Sequence, residues 1–326
     1  MRTLRVPVDP WNPDPSVLRE AAEVLRRGGL VAFPTETVYG LGANALDPDA
    51  VRGIYRAKGR PSDNPLILHL ACRETAEALV LTNPKALRLM SAFWPGPLTL
   101  VLPARPVVPA ETRGGLDTAA LRMPDHPVAA ALIEAAGFPL AAPSANLSGR
   151  PSPTDAESVW EDLEGRVEMI LDAGPVSVGI ESTVLDMTAE PPLLLRPGGL
   201  SREALEAFLG ESLTFPDRPS ARSPGTRYRH YAPRIPVWVW DEIDPLPEAA
   251  HPGRCGFMGL REPPVPFART LCFESVENYA RGLFAGLRAL ESAGLLGIVV
   301  QWPPVSGVGL GLRDRIRRAA SASLGL

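Results

Sequence analysis

The sequence predicts a mixed α/β protein with one sizeable twisted sheet, followed by a smaller α/β unit. Three observations carry that prediction. Apolar runs of strand length recur from Leu30 to Leu185, and helical runs alternate with several of them. Residues 211–236 hold six prolines and glycines among charges and hydroxyls, with little apolar periodicity. Beyond them a second, shorter alternation of strand and helix patterns begins. At 326 residues the chain is long enough for one large domain and a small one.

Asp14-Pro15 opens a helix with Leu18, Ala21, Ala22 and Leu25 at helical spacing, and Gly28-Gly29 closes it. Leu30-Val31-Ala32-Phe33 reads as a buried strand stopped by Pro34. Asp47-Pro48 starts a second helical run through Val51, Ile54 and Tyr55 that ends near Gly59. Strand patterns follow at 66–70, 98–102, 118–122, 169–171 and 182–185. Helices are expected over 127–136 and 154–163, the latter with a capping-box start in which Thr154 is followed by Glu157. A helix over 202–209 closes the first domain. In the second, 237–240 is a strand, Tyr279, Leu283, Leu287 and Leu290 mark a helix, 296–300 is a second strand and 313–320 a basic final helix. The expected division is therefore 1–210, a linker or lid loop over 211–236, and 237–326.

Composition narrows the function. The net charge of −4 offers no global basic field for nucleic acid, although a local basic pocket for a phosphorylated ligand is compatible with it. No apolar run approaches the roughly 20 residues of a membrane span. The N-terminus lacks a signal-peptide apolar region. Three scattered cysteines and four separated histidines form no metal-ligand spacing, so neither zinc nor a disulfide framework is expected, and a reducing cytoplasm fits. The bias towards Arg and Pro fits either a thermophile or a GC-rich genome.

The chain has 31 arginines but only two lysines, Lys58 and Lys85. Lys58 therefore stands out. A compact ammonium fits a slot between phosphate oxygens that refuses a planar guanidinium. It also suits a helix C-terminus, and the sequence leaves both readings open.

Lys58 belongs to the segment Lys58-Gly59-Arg60-Pro61-Ser62-Asp63-Asn64-Pro65, in which two cations flank a glycine and can clamp an anion. Pro34-Thr35-Glu36-Thr37-Val38-Tyr39-Gly40 puts hydroxyls and a carboxylate at a strand end; a polar turn has the same composition. Ala142-Pro143-Ser144-Ala145-Asn146-Leu147-Ser148-Gly149 supplies the groups of an oxyanion or phosphate cradle. No histidine neighbours Ser144 and the G-x-S-x-G elbow is missing, so a covalent serine is not expected. Ser223-Pro224-Gly225-Thr226-Arg227-Tyr228-Arg229-His230-Tyr231-Ala232-Pro233 alternates cations and aromatics, as a base-stacking lid or an interdomain strap would. Gly307-Val308-Gly309-Leu310-Gly311 lacks G-x-G-x-x-G spacing and is rejected as a nucleotide fingerprint.

These four segments, in this order, resemble the Sua5/YrdC/YwlC family of threonylcarbamoyl-AMP synthases, in its two-domain Sua5 form, over essentially the whole chain. The resemblance implies a large twisted-sheet, YrdC-like catalytic domain with a central cavity and a small Rossmann-like C-terminal domain. It implies synthesis of threonylcarbamoyl-adenylate from L-threonine, bicarbonate and ATP, with Mg²⁺ travelling on ATP and pyrophosphate released. Other proteins would then move the threonylcarbamoyl group to adenosine 37 of tRNA. Neither stable direct tRNA binding nor a membrane partner is implied.

Carried over by position, Thr37, His69, Arg122, Ser144 and Ser182 match threonine contacts, with Arg122 holding the carboxylate. Lys58 and Arg60 match the catalytic phosphate clamp, with Asn64. Thr118, Ala142, Asn146, Ser152 and Arg196 match the ATP site. Tyr228 and Tyr231 are the lid aromatics, either of which can touch the nucleotide. Two other classes compete: an RNA-binding module, and a transferase that uses carbamoyl phosphate and no free threonine.

Overall fold

The structure is a computed structural model and describes residues 1–217, 220–223, 230–241, 245–248 and 250–321. Its helices are α1 (Pro15–Arg26), α2 (Pro48–Lys58), α3 (Ala76–Leu79), α4 (Pro84–Phe93), α5 (Ala110–Arg113), α6 (Pro127–Ala136), α7 (Ala156–Leu163), α8 (Arg202–Leu209), α9 (Val276–Ser292) and α10 (Gly309–Ser321). Short polar side chains set most of the starts of the longer ones. Asp14 accepts from Ser16 N, Asp47 from Asp49 and Ala50, and Asn83 from Ala86, each followed by proline at the first helical position. Gly59, at φ 61°, stops α2 in the left-handed conformation.

The start of α7 differs from expectation. Its cap is Asp155, which accepts from Ser158 N, while the Thr154 carbonyl is held by Val176 N at 3.0 Å. That tertiary bond keeps Thr154 outside the helix, so the cap falls one residue later and, with Ser158 at the third position, the expected capping box does not form.

The large sheet contains β1 (Leu4–Pro7), β2 (Val31–Phe33), β3 (Gly40–Asn44), β4 (Ile67–His69), β5 (Leu98–Pro103), β6 (Thr118–Arg122), β7 (Leu140–Ala141), β8 (Met169–Asp172), β9 (Thr183–Asp186) and β10 (Leu193–Arg196). They lie in the order β1-β8-β2-β3-β7-β4-β6-β5-β9-β10. Side chains alternate between the two faces. Leu68, Leu100, Leu121, Leu185 and Leu194 join one core with α2, α4 and α7. On the opposite face, α1 and α6 cover Val31, Phe33 and Leu171. Ile67, Val101, Ala120, Val184 and Leu195 form a separate small apolar patch on the other half of that face. The sheet is thus roofed by helix on one side and only half of the other. The site lies on the uncovered half.

The second sheet contains β11 (Val237–Trp240), β12 (Gly256–Gly259), β13 (Arg269–Cys272) and β14 (Ile298–Gln301), in the order β11-β14-β12-β13 and wholly parallel. Helices α9 and α10 pack on it. Its core takes in Met258, Tyr279, Leu287, Ile298 and Ile316, and also Val38, Ile180 and Tyr231 from outside the unit. The two sheets are therefore joined by shared buried apolar surface. The expected large α/β sheet with a smaller parallel unit is the architecture observed.

Candidate active site

Register builds the floor of the site. Strands β4 and β6 run parallel with His69 opposite Arg122, so two polar side chains at strand C-termini become neighbours. Strand β7 runs antiparallel to both β3 and β4, and Ser144 follows it, paired with Gly40 in an isolated bridge. Ser182 immediately precedes β9 and Arg196 ends β10. These strand ends converge on one cavity. It is lined by Thr35, Thr37, Val38, Gly40, Arg60, Ile67, His69, Arg122, Ala142, Pro143, Ser144, Glu181, Ser182, Arg196, His230 and Tyr231, with Pro65 and Leu66.

The walls are strongly cross-bonded. Arg122 donates through Nη1 to Thr37 Oγ1 at 2.8 Å and through Nε to the Gly96 carbonyl at 3.2 Å, and its Nη2 forms an ion pair with Glu36. The fork is thus held by Thr37, Gly96 and Glu36 together. Thr37 Oγ1 also meets Thr35 Oγ1 at 2.9 Å. Ser182 Oγ lies 2.8 Å from Thr99 Oγ1, and Arg196 Nη2 donates to the Ser182 carbonyl at 2.9 Å. Arg60 holds its own loop closed, donating to the carbonyls of Asn64 and Pro65.

The lining carries three guanidiniums, Arg60, Arg122 and Arg196, against one carboxylate, Glu181, among the described residues. An electropositive cavity with buried walls selects anions. Burial, with neighbouring Arg196, lowers the Arg60 guanidinium to about 10. Burial pushes both cavity histidines down to about 3, seconded by Arg122 at His69 and by Arg60 at His230. Both rings are therefore neutral near pH 7. Burial raises the Glu181 carboxyl, but the charges of Arg315 and Arg196 outweigh it and hold the group below its usual range.

Several expected residues stand behind the cavity wall. Lys58 is 3% exposed and donates from Nζ to the carbonyls of Ser144 and Asn146, each at 2.5 Å. Burial, then the charge of Arg60, pulls its ammonium well below the ordinary lysine value. In this geometry Lys58 shapes the Ser144–Asn146 loop and does not line the cavity. Asn64, Thr118, Asn146 and Ser152 are likewise buried outside the lining set. Asn146 donates to Leu147 and Arg150 carbonyls and leaves Oδ1 buried without a partner among the described residues. Ser152 donates to Glu181 Oε1 at 2.5 Å. Tyr228 lies outside the described residues. Tyr231 lines the cavity, in a positive-φ backbone conformation at 65°.

Comparison with known proteins decides the family. Residues 23–198 match the family model Sua5_yciO_yrdC, described as telomere recombination. The chain belongs to that family. Residues 200–321 match the C-terminal domain model of threonylcarbamoyl-AMP synthase. Proteins named threonylcarbamoyl-AMP synthase from Pyrococcus abyssi and Bacillus subtilis are 45% and 44% identical to the chain. These alignments cover 93% and 94% of this chain, and 94% and 93% of those proteins. By this full-length similarity the chain stands among the threonylcarbamoyl-AMP synthases, a class of nucleotidyltransferases. The crystal structure of P. abyssi Sua5 complexed with L-threonine superposes with a TM-score of 0.90 at 42% identity, covering 99% of this chain and 98% of that one.

Glu181 and His230 line the cavity and Glu36 pairs with Arg122, although none of the three was assigned a ligand contact from the sequence. Glu36 sits between two assigned hydroxyl residues and Glu181 precedes Ser182, so adjacency was the available signal. His230 is half-buried, and its buried Nε2, which has no partner among the described residues, comes to the cavity only through the fold.

Proposed function

We propose that this chain makes L-threonylcarbamoyl-adenylate from L-threonine, bicarbonate and ATP, releasing pyrophosphate. The observation that carries the reading is the electropositive, hydroxyl-rich cavity on the half-covered sheet face, in a chain so similar to a Sua5 that binds L-threonine. Thr37, His69, Arg122, Ser144 and Ser182 are assigned to threonine, with the Arg122 guanidinium on its carboxylate. Arg60, Arg196, Ala142 and Tyr231 are assigned to ATP, supported from behind by Lys58, Asn64, Thr118, Asn146 and Ser152.

The chemistry needs no covalent enzyme intermediate. The threonine amine attacks bicarbonate carbon, and loss of water leaves an N-carboxylate. A carboxylate oxygen then bonds to the α-phosphorus of ATP while the bond to the bridging oxygen breaks and pyrophosphate departs. Catalysis on this account is positioning and charge neutralisation by buried cations. Neutral His69 hydrogen-bonds without adding charge beside the amine. No group of three or more His, Cys, Asp or Glu side chains is placed to hold a metal among the described residues, so Mg²⁺ is assigned to the ATP phosphates as part of the substrate.

The division into 1–210, a linker or lid loop over 211–236 (of which 218–219 and 224–229 lie outside the described residues) and 237–326 belongs to the same proposal. So does the supply of the adenylate, in the cytoplasm, to proteins that modify adenosine 37 of tRNA. No helix among the described residues is long and apolar enough to cross a membrane. The test is pyrophosphate release with each substrate omitted in turn. Release is expected only with threonine, bicarbonate and Mg-ATP together; release that ignores threonine overturns the proposal.

A further inference from the structure

One side chain of the C-terminal unit touches several pieces of the cavity wall at once. Arg315, on α10, is 0% exposed. Its Nε donates to Glu181 Oε2 at 2.7 Å, its Nη1 donates to the Pro197 carbonyl at 2.7 Å, and its guanidinium lies 5.6 Å from the centroid of the Tyr231 ring. Glu181 and Tyr231 line the cavity, and Pro197 follows Arg196, which lines it too. Glu181 passes the contact on, since its other oxygen accepts from Ser152. One fork thus braces three separate pieces of wall.

The helix gets close enough because two glycines meet. A Cβ on Gly311 would stand 2.9 Å from Gly198 Cα, and a Cβ on Gly198 would stand 2.3 Å from the Glu181 carbonyl oxygen. The glycine-rich run before Arg315, which matched no nucleotide motif, therefore serves a close helix-to-loop approach. Stability alone does not account for a buried Arg–Glu pair, because well-packed apolar residues of similar volume do as well. A planar fork that fixes several acceptors at once does account for it.

We infer that Arg315 is a positioning residue of the nucleotide side of the cavity, through which the C-terminal unit holds Glu181, Tyr231 and the Arg196 turn in register. The inference rests on the reading of the cavity as an ATP and threonine site. Asp314 also bonds Arg315 Nη1, at 2.9 Å, and keeps the fork from rotating away. Of the residues assigned to threonine, Thr37, His69, Arg122 and Ser144 make none of these contacts, and Ser182 is reached only through Arg196, which donates to its carbonyl.

The test uses the full chain with Arg315→Lys, and a second variant, Arg315→Met with Glu181→Gln, which removes both charges so that no lone buried carboxylate opposes folding. Calorimetry measures the affinity of each for a non-hydrolysable ATP analogue and for L-threonine, beside the melting midpoint. Both variants are expected to bind the analogue about tenfold more weakly, the scale of a lost charged hydrogen bond. Threonine affinity is expected to stay within about twofold. Unchanged analogue affinity overturns the inference. So does a parallel fall in both affinities that tracks the melting midpoint, because it would make Arg315 a fold strut only. Failure of the functional reading shows separately, as absence of threonine-dependent pyrophosphate release in the unaltered protein.

Discussion

Lys58 shows how far a single residue can be read. Its rarity among 31 arginines marked it, and its place at the end of α2 was legible, but its partners were not. They are carbonyls 86 and 88 positions away, brought near only by the sheet. The structure changes the reason for expecting Lys58→Arg to fail. A guanidinium is too wide for the gap between two carbonyls, so the loop carrying Ser144 must shift. Threonine affinity and kcat are expected to drop together, by roughly tenfold or more, the scale of a lost charged hydrogen bond. Full activity in that variant would sink this account. Arg122 makes the opposite case: its position at the end of an apolar run, and the family pattern, named it before its neighbours were known. Arg122→Lys keeps the charge and loses the fork. KM for threonine is expected to rise about 10- to 100-fold with KM for ATP nearly unchanged, measured by varying each substrate at saturation of the other.

Elements were legible where local chemistry decides them and obscure where tertiary packing does. Asp14-Pro15 and Asp47-Pro48 announced their helices because an N-cap needs only neighbours. Strand β3 did not look like a strand, since Gly40-Leu41-Gly42-Ala43-Asn44 reads as a turn. The Phe33 ring fills the space above it: a Cβ on Gly42 would lie 2.8 Å from Phe33 Cε1. Strand β1 is largely exposed and β7 has two residues, so neither offers a periodic signal. Cap chemistry gives an element-scale prediction. Asp47 accepts from two backbone N–H groups, and Asp47→Ala should cost about 1 kcal/mol, read from the urea midpoint. Because α2 carries Lys58 at its far end, turnover should change little if the helix only frays at its start.

At the scale of the whole molecule, burying neutral histidines ties stability to pH. His69 is pushed down to about 3 by burial and then by Arg122, and His230 to about 3 by burial and then by Arg60. His126 is also lowered, by burial first. Unfolded histidine binds its proton near 6.5, so between about 3 and 6.5 the unfolded chain holds more protons than the folded one. Stability is then complete above about pH 6.5 and declines as pH falls through the window. Glu181, held below its ordinary range, adds loss of the same sign only lower down, as pH nears its unfolded value of 4.5. From pH 6.5 down to about 5.5, before carboxylates such as this begin to take up protons, the histidines dominate the slope. Two of them face one cavity from opposite sides, His69 from the sheet and His230 from above it, beside Tyr231 in the core shared with the C-terminal unit. Acid should loosen that seam as a unit. The urea midpoint is expected to hold level from pH 8 to 6.5 and to fall steadily to 4.5, with His69→Gln flattening part of the slope. A midpoint that stays level down to pH 4.5 would mean that the histidines reach water in the folded protein, and the closed cavity would have to be abandoned.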